Sequence, residues 1–254
     1  MEFSDDQLDR YARHIVLPEI GGAGQARLLD THALVIGAGG IGCPLLAYLA
    51  AAGLGRVTVM DDDHVSLSNL QRQILFGSSD IGRAKVDAAQ HALQHINAEI
   101  DIITVNQRFT AQHFSREEAA GFHVIIDGCD NFATRLAVNR FAVEHQIPLV
   151  SAAIGRFDLQ IAIFDARRDD APCYQCLVGD NPDPGAGNCA EQGVLGALAG
   201  VAGSLAALEA IRLAVPFGDD RADSLLMADM RDMRWRSVRI ARDPGCTVCG
   251  KPGR

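Results

Sequence analysis

Positive charge is in short supply in this chain. Its 254 residues hold 23 Lys and Arg against 32 Asp and Glu, a formal net charge of −9. Nucleic-acid binding needs a basic surface to neutralise phosphates, so that class is excluded. Any site for a polyanion must therefore be a local cluster of cations in an acidic body. The N-terminal stretch MEFSDDQLDRYARH lacks the apolar core of a secretory signal, and the expected location is the cytoplasm. Long apolar runs are scarce as well. Residues 31–55 carry no charged side chain, but the glycine loop and Pro44 divide them into a strand and a helix. Residues 192–208 are also uncharged, but Glu209 and Arg212 end the run, and Gly196, Gly200 and Gly203 suit a helix packed closely inside the protein or at a subunit interface. There is no internal repeat or low-complexity segment. The eight histidines form no HExxH, and neither a Ser-His-Asp set nor paired general acids can be picked out.

What is present reads as α/β. Short apolar runs at 33–37, 56–61, 100–105, 123–127 and 148–153 suit buried strands. They alternate with helical patterns at 41–52, 83–96, 111–120 and 131–145, after a first helix at 4–14 with Ser4 as its N-cap. This alternation predicts a Rossmann-like, doubly wound, mostly parallel sheet. From residue 156 the pattern changes to a strand at 156–164, a Pro-, Gly- and Asp-rich loop at 165–192, a helix at 193–215 and strands at 224–229 and 234–240. These suggest an antiparallel C-terminal extension of the same sheet. The expectation is a single domain over 1–254, with a nucleotide-binding half at 30–153 and a second half at 154–254.

Gly37-Ala38-Gly39-Gly40-Ile41-Gly42 fits GxGxxG between a strand and a helix, where backbone amides and the helix dipole stabilise a phosphate. Asp61 lies about 20 residues further on, where a ribose-binding acid belongs. Both features suit NAD, and an NAD-dependent oxidoreductase is one reading. The next residues suit ATP better. Asn69, Arg72 and Lys85 follow the second strand, while Asp127 and Asp130 end a later one. In open α/β sheets these strand ends face the ligand crevice. Arg72 and Lys85 can neutralise phosphate oxygens, and Asp130 can hold magnesium. Each alone would pass for a surface charge; together beside a phosphate loop they favour triphosphate chemistry.

Seven cysteines without a secretory signal are expected to be reduced. Cys173 and Cys176 form one CxxC, Cys246 and Cys249 another. Two such pairs, both placed in loops, indicate a tetrahedral four-thiolate zinc site that staples distant segments. Such a closed site has no open position for water, so its role is structural. Cys189 stands alone at the end of the long loop, either a reactive thiol or an ordinary loop residue. Cys43 and Cys129 read as small core residues near the site.

Taken together, RYARHIVL (10–17), GAGGIG, DDDHVSLSNLQRQILF (61–76), GRAKV (82–86), DGCDN (127–131), CYQC, NCAEQGV (188–194) and PGCTVCG resemble the adenylyltransferases that activate ubiquitin-like sulfur-carrier proteins, relatives of ubiquitin-activating enzymes. The resemblance runs from about residue 10 to 250. It implies that ATP adenylates the C-terminal glycine of a carrier in molybdopterin or thiamine synthesis, releasing pyrophosphate. It further implies that Gly37, Gly39, Gly40 and Gly42 shape the phosphate loop and that Asp61 holds the ribose with Asp63 beside it. Asn69, Arg72 and Lys85 bind phosphates, Asp130 positions magnesium, and Arg13 reaches the partner subunit's nucleotide in a homodimer. Cys189 matches a loop cysteine that bonds the activated carrier in some members. The sulfur donor is expected to be a separate protein. A non-catalytic, zinc-stabilised carrier-binding module is a further alternative.

Overall fold

A computed structural model describes residues 2–180, 182 and 193–250. Helix α1 (Asp5–Ile15) starts at a capping box, with Ser4 accepting from the Gln7 N–H. Helix α2 (Gly21–Asp30) follows; its run of glycines gave no helical signal in the sequence. The core unit is β1 (His32–Ile36), α3 (Gly42–Ala52), β2 (Arg56–Met60), α4 (Lys85–Ile96) and β3 (Asp101–Val105). The second run is α5 (Arg116–Ala120), β4 (Val124–Asp127), α6 (Phe132–Glu144), β5 (Leu149–Gly155) and β6 (Asp158–Phe164). Helix α5 is shorter than its pattern predicted because Ser115 makes a capping box with Glu118 and starts it late. The chain then forms α7 (Tyr174–Val178), α8 (Gly196–Ala214), β7 (Ser224–Asp229) and β8 (Arg234–Arg239).

All eight strands form one sheet in the order β3-β2-β1-β4-β5-β6-β7-β8. Pairing is parallel from β3 to β5 and antiparallel from β5 to β8. The mixed sheet with an antiparallel C-terminal extension is therefore as predicted. The strands β1 and β4 are buried almost throughout, as parallel strands covered on both faces must be. One apolar cluster joins the sheet to α3, α4 and α8; the other, built around Phe109, Phe141 and Ile125, joins it to α6.

Helix α8 is long and apolar enough to cross a bilayer by length and composition. It lies instead against α3, with Leu198, Ala199, Ala202, Ala206 and Ala210 buried. Gly203 permits this contact, since a Cβ there would meet Ile41 O at 2.4 Å and Pro44 Cγ at 2.5 Å.

The chain leaves β1 toward β2 and β3, then returns to β4 on the other side of β1. The carboxyl ends of β1 and β4 thus form a topological switch point, where open α/β sheets bind ligands.

Candidate functional site

At that switch point the backbone itself shapes the floor. Gly37 follows β1 at φ +97°, a conformation that favours glycine. Its N–H donates to Met60 O at 2.8 Å, and a Cβ would stand 3.3 Å from the Gly128 carbonyl of the neighbouring strand end. Gly42 is buried at the start of α3, where a Cβ would lie 2.0 Å from Gly37 O. The turn from β1 into α3 therefore closes only without a side chain at residue 42.

A cavity of about 690 Å³ opens above this turn. It brings together Gly37, Gly39, Gly40, Asp61, Asp63, Asn69, Arg72, Lys85 and Asp130. Gly42 lies beneath the lining rather than in it. Asp61 Oδ2 accepts the Ala38 N–H at 2.7 Å and Oδ1 the Asp63 N–H at 2.8 Å, so the acid is tied to the glycine loop. Burial raises the Asp61 carboxyl above its ordinary value, and the charge of Lys85 partly opposes the shift. Lys85 is buried and pairs with Asp63 at 2.7 Å. Arg72 donates to Ser68 O at 3.2 Å from within the turn that follows Leu67–Asn69. The acids and cations are thus interleaved in one cavity, where they can receive a polyanion together with a counter-ion.

Two neighbours escaped the sequence reading. Arg108, after β3, lines the cavity and pairs with Asp62 at 3.3 Å. Arg135, on α6, lines it from below and is 6% exposed. Arg135 pairs with Asp127 at 3.5 Å and donates to Ser151 Oγ at 3.0 Å and to the carbonyls of Ala152 (2.8 Å) and Cys129. Asp127 is consequently a buried partner of arginine outside the cavity lining. Cys43 is fully buried, and burial pushes its thiol up to about 12. Cys129 is half-buried, packs against the core cluster around Phe141 and also lines the cavity, as a small core residue near the site does.

The four CxxC cysteines converge as expected. Their sulfurs lie within 4.8 Å of one another, with Cys173 3.7 Å from Cys246 and Cys176 3.3 Å from Cys249. A disulfide is about 2.05 Å long, whereas a tetrahedron with metal–sulfur bonds near 2.3 Å has edges of about 3.8 Å. The cluster therefore has the dimensions to hold a metal ion. Burial pushes the Cys173 thiol up to about 11, so a cation binding here displaces protons. The expectation that both CxxC pairs lie in loops is corrected in one case. Cys173 caps α7 and Cys176 lies within it, because Cys173 O accepts the Cys176 N–H at 3.0 Å and closes a turn.

Two predicted residues lie elsewhere. Arg13 is exposed on α1 and does not line the cavity of its own chain. Cys189 falls outside the described residues.

Known proteins share this architecture. A crystallised MccB from E. coli, in complex with MccA, superposes with a TM-score of 0.79 over 98% of this chain and 76% of that one at 19% identity, a likeness of fold. The sulfur carrier protein adenylyltransferase of Thermus thermophilus is 41% identical over 98% of this chain and 93% of that protein. The molybdopterin-synthase adenylyltransferase of Salmonella typhimurium is 39% identical (98% and 99%), and the sulfur carrier protein ThiS adenylyltransferase of E. coli is 40% identical (97% and 97%). Residues 11–248 match the ThiF family, and the chain belongs to it.

Proposed function

We propose that this protein is an ATP-dependent adenylyltransferase acting on the C-terminal glycine of a ubiquitin-like sulfur carrier, for molybdopterin synthesis. The observation that carries this reading is the meeting of a glycine phosphate loop with Asp61, Asn69, Arg72, Lys85 and Asp130 in one cavity. A C-terminal carboxylate is ionised at pH 7, so no general base is needed. Its oxygen attacks the α-phosphorus of ATP, the bond to the β-phosphate oxygen breaks, and pyrophosphate leaves with that electron pair. The obstacle is an anion approaching a polyanion, and the remedy is alignment and charge neutralisation. Arg72, Asn69 and Lys85 are suited to grip phosphate oxygens, and Asp61 to hold the ribose hydroxyls.

Asp130 is exposed at the cavity wall and has no ion pair among the described residues. Its hard carboxylate suits magnesium, which would neutralise phosphate charge there. Zinc suits the four sulfurs, with a structural role. The antiparallel strands offer the carrier a path. In register, Ser151 on β5, Ala162 on β6, Leu225 on β7 and Val238 on β8 form a row from the cavity wall to the sheet edge.

A homodimer accounts for Arg13. Tyr48 on α3 and Leu208 on α8 are 57% and 42% exposed and flank one apolar hollow with His14 of α1. This is a surface that a second copy would cover, bringing α1 of each chain toward the other. Cys189 remains a candidate for bonding the activated carrier, and a separate protein is the expected sulfur donor.

The thiamine-pathway carrier is the second reading, since the ThiS and molybdopterin-synthase relatives match this chain almost equally. Exchange of labelled pyrophosphate into ATP, with each candidate carrier in turn, tests both readings. Exchange with the molybdopterin carrier supports the first and exchange with the thiamine carrier the second. No exchange with any Gly-Gly-ending carrier overturns adenylation.

A further inference from the structure

Among the described residues, Gln73 is the buried polar side chain of the cavity wall with an atom that nothing in the protein satisfies. It is 3% exposed, lines the cavity, and its Oε1 has no hydrogen-bond partner. Its Nε2 stands over the glycine loop, 3.9 Å from where a Cβ on Gly39 would be. The main chain at this residue is fixed within a turn. The Gln73 N–H donates to Asn69 O at 3.0 Å, and Gln73 O accepts the Phe76 N–H at 3.1 Å. A buried amide oxygen without a partner lowers stability. An apolar side chain of similar length would serve packing better, so packing does not account for a glutamine at this position.

We propose that Gln73 contacts the triphosphate, with Nε2 donating to a phosphate oxygen above Gly39 and Oε1 accepting from a water or hydroxyl brought in with the nucleotide. A neutral carboxamide suits this place, because it adds a donor beside Arg72 without enlarging the cationic cluster. The assignment rests on the reading of the cavity as an ATP site.

Q73M and Q73E test it, by thermal unfolding without ligand and by calorimetric titration with ATP and with adenosine. Q73M should unfold at or above the wild-type temperature, since it removes an unsatisfied polar group. It should bind ATP roughly tenfold more weakly, the weight of one hydrogen bond to a charged group, and adenosine as before. Q73E, of nearly the same shape, should lose more ATP affinity because its carboxylate faces the phosphates. Unchanged ATP binding in both variants overturns the contact and leaves the ATP reading standing. A fall in the unfolding temperature of Q73M, with ATP and adenosine weakened alike, overturns it in favour of a structural role. Absence of ATP binding by the wild type overturns both readings.

Discussion

The amide of Asn139 donates to the sulfur of Cys173 at 3.5 Å, while its carbonyl oxygen accepts the Tyr174 N–H at 2.8 Å. Helix α6 thereby grips the first CxxC turn with one side chain, and one turn earlier it places Arg135 under the cavity. The cysteine cluster and the cavity wall share a single rigid element.

Asn139→Ala should therefore weaken metal binding without altering any cysteine. Loss of a partner that orients a metal ligand typically costs about 10–100-fold in affinity. Chelator competition measures it, and an unchanged metal affinity would show that Asn139 serves the α7 backbone alone.

Arg135→Met should cost about 3–5 kcal/mol, because it leaves the buried carboxylate of Asp127 without its cation. Urea denaturation gives the value. Adding Asp127→Asn should recover part of the loss, since the orphaned charge is then gone, although the hydrogen bonds that Arg135 gave to Ser151 and Ala152 are not restored. A double variant no more stable than the single one would place the cost in those hydrogen bonds instead.

Arg135 and Asn139 also show where the sequence stops being readable. The β1–loop–α3 unit was legible because each glycine has a spacing that steric need dictates, Gly37 for its positive φ and Gly42 for its contact with Gly37 O. Asp61, Arg72 and Lys85 were legible because strand ends must face the crevice. Arg135 sits in FATRLAVNRF, which reads as a helix with solvent-facing charges. Its burial follows only from β4 and β5 lying side by side beneath α6. Helix α2 was missed for the opposite reason. Gly21, Gly22 and Gly24 lower local propensity, yet Gly24 is buried where a Cβ would meet Val215 at 2.9 Å, so tertiary packing selects the glycine.

The raised carboxyl of Asp61 makes a prediction about pH. A carboxyl whose folded pKa lies above its unfolded value favours the protonated native state. The group's contribution to stability then falls as pH rises from the unfolded pKa through the folded one, and stays low above it. Asn at this position cannot ionise. The stability of Asp61→Asn relative to wild type should therefore improve with pH across the acid range, on top of a constant loss from one missing backbone acceptor. Urea midpoints between pH 3 and 7 follow the difference. A flat difference would mean that Asp61 titrates alike in both states.

Arg13 offers the sharpest test of a shared site, because it is exposed and does not line its own chain's cavity. If it reaches the partner's nucleotide, Arg13→Ala should abolish pyrophosphate exchange while leaving the unfolding temperature unchanged. Asp130→Ala should be equally inactive, for a reason located in the other half of the site. Mixing the two variants and allowing subunits to exchange then separates the cases. In a two-fold dimer about half of the molecules become hybrids. Each hybrid has one site lacking both residues and one site in which both are intact. The mixture should thus regain about a quarter of wild-type exchange, with neither variant active alone. Recovery requires that the two residues meet across an interface; a mixture that remains inactive although the subunits have exchanged would confine Arg13 to its own chain.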